Sequence, residues 1–318
     1  MLSLPDFREK QIIFIESYQA KNIKFKNDNL TVEEDGKITN QVSCFKIFCV
    51  FIIGEISITS VLINKLLKYG ISIFLMNQNF KVYTTIGCQT EGNYLLRRRQ
   101  YSCDKQLGIS SHIVRNKISN QMSLLKSIRN KNDENKKSIE SLDALLEKIE
   151  AVKDNQELLG IEGNASKIFF QDYFEAIKWY RRTPRTKHDI PNLLLDIGYT
   201  FLFNFIDCHL RLYGFDTYIG FYHKLYFQRK SLVCDLVEPF RCIIDRALRK
   251  AYNLKQIDES DFEFRMNQFV LNYKYGRKYT KIFLEAIMEE KEEVFTYIQS
   301  FYRAFMREGR DLPEYLIK

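Results

Sequence analysis

One histidine and three carboxylates stand out by type and spacing. His223 lies in Gly220-Phe221-Tyr222-His223, Asp235 and Glu238 follow three residues apart, and Glu162 sits well upstream between Gly160 and Gly163. Carboxylate oxygens with one imidazole suit a hard divalent cation, Mg2+ or Mn2+, and a site with open positions can also take phosphate oxygens. The chemistry in prospect is metal-assisted phosphodiester reaction on nucleic acid. The same residues have plainer uses. Glu162 could serve a helix dipole as an N-terminal acid, and Asp-x-x-Glu at a helix start is also the spacing of a capping box. His209, inside a long apolar run, is expected to face packing neighbours and not a metal.

The basic residues point the same way. Trp179 to His188 interleaves aromatic and cationic side chains, which suits a nucleic-acid strand as well as a solvated loop. The formal charge of +8 over 318 residues fits one basic face better than a polycationic tail. The seven cysteines include no Cys-x-x-Cys pair, which argues against a disulfide framework and a structural zinc, and suggests reduced, cytosolic, mostly buried thiols. The polar start lacks a signal-peptide pattern, and the apolar run Phe45 to Ile58 is too short to span a bilayer.

Two patterns must position these residues. Up to Ile86 the chain reads as strands: Gln11 to Ile15, Asn22 to Lys26 and Asn29 to Glu33 form a meander of short runs with Asn27-Asp28 and Asp35-Gly36 as turns. Phe45 to Ile53 is apolar almost throughout, as for a strand covered on both faces. A helix capped by Ser57 or Thr59 and stopped by Gly70 follows, then strands over Ile71 to Met76 and Phe80 to Ile86. Beyond Thr85 the period becomes helical. Gly92 to Tyr101 opens a helix, Ile109 to Ile128 is a second, Arg129 to Lys137 reads as a solvated connection, and Leu142 to Ile149 resumes a helix. Pro191 to Tyr213 is a long apolar helix with Gly214 as its stop. Asp216 to Arg229 is a loop presenting His223, and a helix starting near Ser231 places Asp235 and Glu238 on neighbouring turns, with Pro239 in its first turn. Asp258 to Leu271 and Arg277 to Arg307 read as further helices. The expectation is an α+β chain: a small mainly-β N-terminal domain, residues 1–86, followed by an all-α domain, residues 87–318.

Four ordered stretches, Gly92 to Tyr101, Gly160 to Ser166, Asn192 to Tyr199 and Gly220 to Arg241, resemble the CRISPR-associated integrase family, the first-numbered Cas proteins that act in spacer acquisition. The resemblance covers nearly the whole chain. It implies that the β-rich unit is a dimerisation domain and the helical unit is catalytic. It also implies that the metal ligands are Glu162, His223 and Glu238, where many relatives have aspartate at the last position, and that Asp235 is a nearby acid needed for activity.

The implied reaction is attack of a 3'-hydroxyl of short duplex DNA on a phosphodiester of the repeat array, assisted by Mg2+ or Mn2+, with water as the alternative nucleophile for cutting. His223 must be neutral to ligate, so acid should suppress activity. Arg181, Arg182, Lys224 and Arg241 are the candidates for DNA phosphate contact. The expected partners are double-stranded DNA, a second copy of the chain and a small ferredoxin-like CRISPR-associated subunit, in the prokaryotic cytoplasm and away from membranes. Two other functions fit the residues: a stand-alone nuclease for branched repair intermediates, and a non-catalytic DNA-binding scaffold whose acids cap helices.

Overall fold

The computed structural model describes residues 2–17, 21–87, 93–104, 106–307 and 311–318. Gly92 and Cys88 lie outside them. The chain opens on a short helix α1 (Leu4–Arg8), capped by Ser3, before the first strand β1 (Gln11–Ser17). Strands β2 (Lys21–Lys26), β3 (Asn29–Glu34) and β4 (Lys37–Ser43) form a three-stranded antiparallel sheet. After a 3-10 turn comes β5 (Ile47–Gly54), then helix α2 (Ser60–Lys68) with Thr59 as its cap, then β6 (Ser72–Met76) and β7 (Val82–Ile86). The second sheet runs β1-β5-β6-β7, with β1, β5 and β6 parallel and β7 antiparallel.

The meander expected to include the first strand therefore does not. β1 pairs with β5 in the other sheet, and the place beside β3 goes to β4. β4 carries Lys-Ile-Thr-Asn-Gln-Val-Ser with no buried residue, so hydropathy gave no sign of it.

The alternation along β5 divides two cores. Cys49, Phe51 and Ile53 face the helices, where Phe51 meets the ring of Phe201 edge-on at 5.1 Å, while Val50 and Ile52 face the small sheet and α2. Successive strand residues point to opposite faces, so a strand in the middle layer must be apolar on both. Phe7 adds to the helical side by stacking on Phe295 at 4.5 Å.

The helical part contains α3 (Tyr94–Tyr101), α4 (Gln106–Lys126), α5 (Asp133–Lys148), α6 (Asn155–Tyr173), α7 (Ile190–Tyr213), α8 (Ser231–Val237) and α9 (Arg241–Asn253). The fold is thus β-rich first and helical after, as expected. α5 begins inside the run expected to be a solvated connection, because Asn132 and Asn135 cap each other's backbone. α7 runs as read: Asp189 caps it, Pro191 sits in its first turn, and Gly214 ends it at φ +88°, a conformation that favours glycine. It is long and apolar enough to cross a membrane, yet most of it is buried inside the protein. At Gly198 a Cβ would come within 2.5 Å of Ile244 and 2.9 Å of Phe283, so the missing side chain sets how closely α7 approaches its neighbours.

Two helix expectations fail. Residues 258–271 form a 3-10 turn and a hairpin, β8 (Phe262–Arg265) and β9 (Gln268–Leu271). Met266 and Asn267 take φ of +47° and +62° at its tip, as a two-residue hairpin turn requires, without the Asn-Gly that usually announces one. Gly276 to Met306 is two helices, α10 (Gly276–Glu289) and α11 (Lys291–Met306). The backbone leaves helical geometry at Glu290, whose carboxylate is held by Arg246 at 2.7 Å.

Candidate active site

The loop between α7 and α8 is folded around one carboxylate. Asp235, fully buried, accepts from the backbone N–H of Phe221 at 2.6 Å, Tyr222 at 3.1 Å and His223 at 2.8 Å, and from the His223 ring at 2.7 Å. Gly220 makes this possible: a Cβ there would lie 2.6 Å from the Asp235 oxygen and 2.8 Å from the Ser231 backbone. Asp235 is therefore no helix cap. α8 has Lys230 at its N-cap with no side-chain capping bond. Because a carboxylate can only accept, Nδ1 of His223 carries the proton, and in the neutral ring Nε2 keeps the free lone pair.

Glu238 follows one turn later, where α8 passes into a 3-10 turn started by Glu238-Pro239. Pro239 thus lies in the 3-10 turn between α8 and α9, not in the first turn of α8. Glu238 is 5% exposed and faces two cations: Arg241 Nε donates to Oε1 at 2.9 Å, and the Lys117 ammonium of α4 lies 2.7 Å from Oε2. The same ammonium donates to Oε1 of Glu162 on α6, which also accepts from Ser166 at 3.1 Å. Glu162 stands in the interior of α6, well past the Asp154 cap, so it is not the N-terminal dipole residue that its neighbours suggested.

Burial alone would raise the Glu238 carboxyl. The charges of Arg241, Lys117 and His223 outweigh burial and hold it at about 2. Below Arg241 lies Asp245, whose carboxylate takes the Tyr199 hydroxyl at 2.5 Å. There burial dominates and raises the group to about 7, against the opposing pull of the Tyr199 bond and of Arg241, Lys117 and Arg182. The Tyr199 ring is flanked by the guanidinium groups of Arg241 at 4.6 Å and Arg182 at 5.5 Å.

Glu162, Glu238, Lys117, Arg241, Asp245 and Tyr199 line a cleft of about 2130 Å³ between β7, α6, α7 and the loop before α8, whereas His223 and Asp235 are not among its lining residues. Its wall carries Arg181, Arg182, Arg185, Arg211, Lys230 and Arg241. Arg181 is exposed, whereas Arg182 is held by Asn192 and Asp196. Arg211 and Lys230 share the buried Asp207, at 3.0 and 2.8 Å. Lys224 is exposed on the loop and does not line the cleft.

The expected residues thus fall into two pairs, Glu162 with Glu238 and His223 with Asp235. Among the described residues no three His, Cys, Asp or Glu side chains surround one point. The donor chemistry nevertheless fits a hard cation. The two carboxylates converge on one positive charge, and Glu238 Oε2, buried and 2.7 Å from an ammonium, lies outside hydrogen-bonding geometry. His209 is buried, bonded to the Phe205 carbonyl, and lowered to about 4 by burial, so it serves packing as expected.

Sequence reasoning missed Lys117. Its signal was present: Lys117 occupies the helix stripe of Ile113, Val114 and Gln121, where a cation is out of place unless paired. Asn116 and Asn120 beside it fasten the C-terminal segment. Asn116 exchanges bonds with the Tyr315 backbone at 2.6 and 3.0 Å. Asn120 donates to the carbonyls of Tyr315 at 2.8 Å and Pro239 at 3.0 Å and accepts from Ile317 N–H at 2.8 Å.

Comparison with known proteins converges on one group. A family model described as CRISPR associated protein Cas1 matches residues 14–285. The chain is 28% identical over 300 residues to a CRISPR-associated endonuclease Cas1 of Thermodesulfovibrio yellowstonii, covering 90% of this chain and 94% of that protein. It superposes on a Cas1 protein from Thermotoga maritima with TM-score 0.80 at 20% identity, over 93% of this chain and 98% of the other. A chain of a Cas6-RT-Cas1–Cas2 complex gives TM-score 0.77 at 24% identity, over 93% of this chain but only 35% of that longer one.

Proposed function

Because the chain belongs to the Cas1 family, we propose that its cleft is the active site of a metal-dependent DNA endonuclease and integrase of CRISPR adaptation. The observation that carries this reading is the convergence of Glu162 and Glu238, from separate elements, on one buried cation position at the base of a basic cleft. Glu162, Glu238 and the Nε2 of His223 would hold Mg2+ or Mn2+, which when bound polarises a phosphoryl oxygen and stabilises charge on the leaving oxygen.

The chain's own residues do the rest. Arg241 keeps Glu238 ionised although it is buried. Asp235 fixes the His223 tautomer and, through three backbone N–H groups, the loop that carries it. Arg181, Arg211 and Lys230 lie where a phosphate backbone would pass, and Arg182 and Arg241 close over Tyr199 beside them. A 3'-hydroxyl placed in line with a phosphodiester would form the new P–O bond as the bridging oxygen leaves with a proton. No covalent protein intermediate is needed. The protein works in the prokaryotic cytoplasm as a dimer joined through the β-rich unit, residues 1–86, with residues 87–318 carrying the chemistry and a small ferredoxin-like subunit as companion.

The test incubates the purified chain, with and without that subunit, with a short duplex bearing free 3'-hydroxyls and a supercoiled plasmid carrying the repeat. Mn2+, Mg2+ and chelator are compared, and Glu162→Gln and Glu238→Gln run beside the parent. Metal-dependent joining lost in both variants is the expected result. Cutting without joining in the presence of the subunit would point to a repair nuclease, and chelator-insensitive DNA binding with no reaction would point to a scaffold.

A further inference from the structure

We propose that the Lys117 ammonium is the resident cation of the Glu162–Glu238 pair and must leave its bridging position before a divalent metal can occupy the site. The inference rests on the reading of Glu162 and Glu238 as metal ligands. Lys117 is 8% exposed, its ammonium donates to Glu162 Oε1, and it stands 2.7 Å from Glu238 Oε2. One point between two carboxylates cannot hold both a metal ion and an ammonium, because the metal needs those oxygens within direct coordination distance. Like charges packed side by side in a buried site also repel strongly.

Two consequences follow from this arrangement. Without metal, Lys117 keeps the buried Glu238 and the partly buried Glu162 from facing each other uncompensated, so the site stays assembled. With metal, the apparent affinity is reduced by the fraction of molecules in which the ammonium has moved away. Lys117 is in this sense a positioning residue that also sets a threshold for metal. Arg241 differs in kind: it meets Glu238 at Oε1, the oxygen turned from Lys117, and can stay when metal arrives.

The experiment is calorimetric titration of the full chain with Mn2+. Parent, Lys117→Met, Arg241→Met and Glu238→Gln are compared. Removing either cation strengthens Mn2+ binding through charge alone, so Arg241→Met measures that contribution. The proposal expects Lys117→Met to bind Mn2+ at least about tenfold more tightly than Arg241→Met does. Equal affinities in those two variants would overturn it while leaving the ligand assignment intact. Absence of Mn2+ binding by the parent and Lys117→Met alike would overturn both.

A second readout needs no variant. Lysine acetylation of the parent, followed by mass spectrometry, should find Lys117 protected in chelator and its modification about tenfold faster in saturating Mn2+. Protection unchanged by Mn2+ would mean that Lys117 keeps its bridge, and the proposal would fall.

Discussion

Two largely buried charge clusters face the same cleft with different balance. At its base, Lys117 and Arg241 are matched by Glu162 and Glu238. On its wall, Arg211 and Lys230 share the single carboxylate of Asp207. Each cluster buries an acid among cations, yet the base is neutral and the wall keeps a positive charge. The carboxylates of the base already hold their cation, Lys117, whereas the wall is left with charge to offer an anion. A difference of one acid separates the two balances.

The largest expected effect comes from breaking the base. Glu238→Ala leaves Lys117 and Arg241 without their shared acid, and denaturant unfolding should show a loss of about 3–5 kcal/mol. Asp207→Ala should cost a similar amount, because Arg211 and Lys230, 15% and 16% exposed, lose the one acid they share. A much smaller loss would mean that the wall cations rehydrate where those of the base do not.

Acid sharpens the comparison. Glu238 is held at about 2, below the ordinary carboxylate range. Its contribution is therefore complete above about pH 4.5 and is lost as pH falls toward 2. The stability gap between the parent and Glu238→Gln should close across that window. Asp245 runs the other way. Raised to about 7, it favours the folded state fully only below the ordinary carboxylate value, and that contribution disappears as pH rises to 7. Asp245→Asn should gain stability relative to the parent as pH rises from about 4 to 7, and a flat difference would contradict the assignment.

The smallest effect is on the wall. Lys230→Ala and Arg211→Ala should each reduce the salt slope of duplex DNA binding by about 0.9 while leaving Mn2+ affinity unchanged. A change in Mn2+ affinity would merge the two clusters into one.

How far the chain could be read beforehand follows the same physics. α7 was legible because Asp189, Pro191 and Gly214 punctuate a continuous apolar stripe, and β5 because both of its faces are covered. β4 was not, since a strand with no buried residue owes its existence to its partner β3 and carries little hydropathy signal. The β8–β9 hairpin reads as a helix, although Phe-Glu-Phe-Arg alternates with period two, because its turn lacks glycine. At the site the acids were visible as types, and the resemblance selected among them. Their pairing was hidden. Asp235 at capping-box spacing folds the loop of His223 instead of starting a helix, and the cation between Glu162 and Glu238 comes from α4, 45 residues before Glu162.

The clamp formed by Asn116 and Asn120 gives the site an order in time. Tyr315 and Ile317 leave the ribosome after α4, the Pro239 turn and every helix of the cleft have already emerged. A nascent chain that has not reached Tyr315 carries every acid and every cation of the base, with α4 tied to the Pro239 turn by the bond from Asn120 and by the Lys117–Glu238 pair. The bonds that Tyr315 and Ile317 make to Asn116 and Asn120 are therefore added only after the helix that carries Lys117 and its partners has been made.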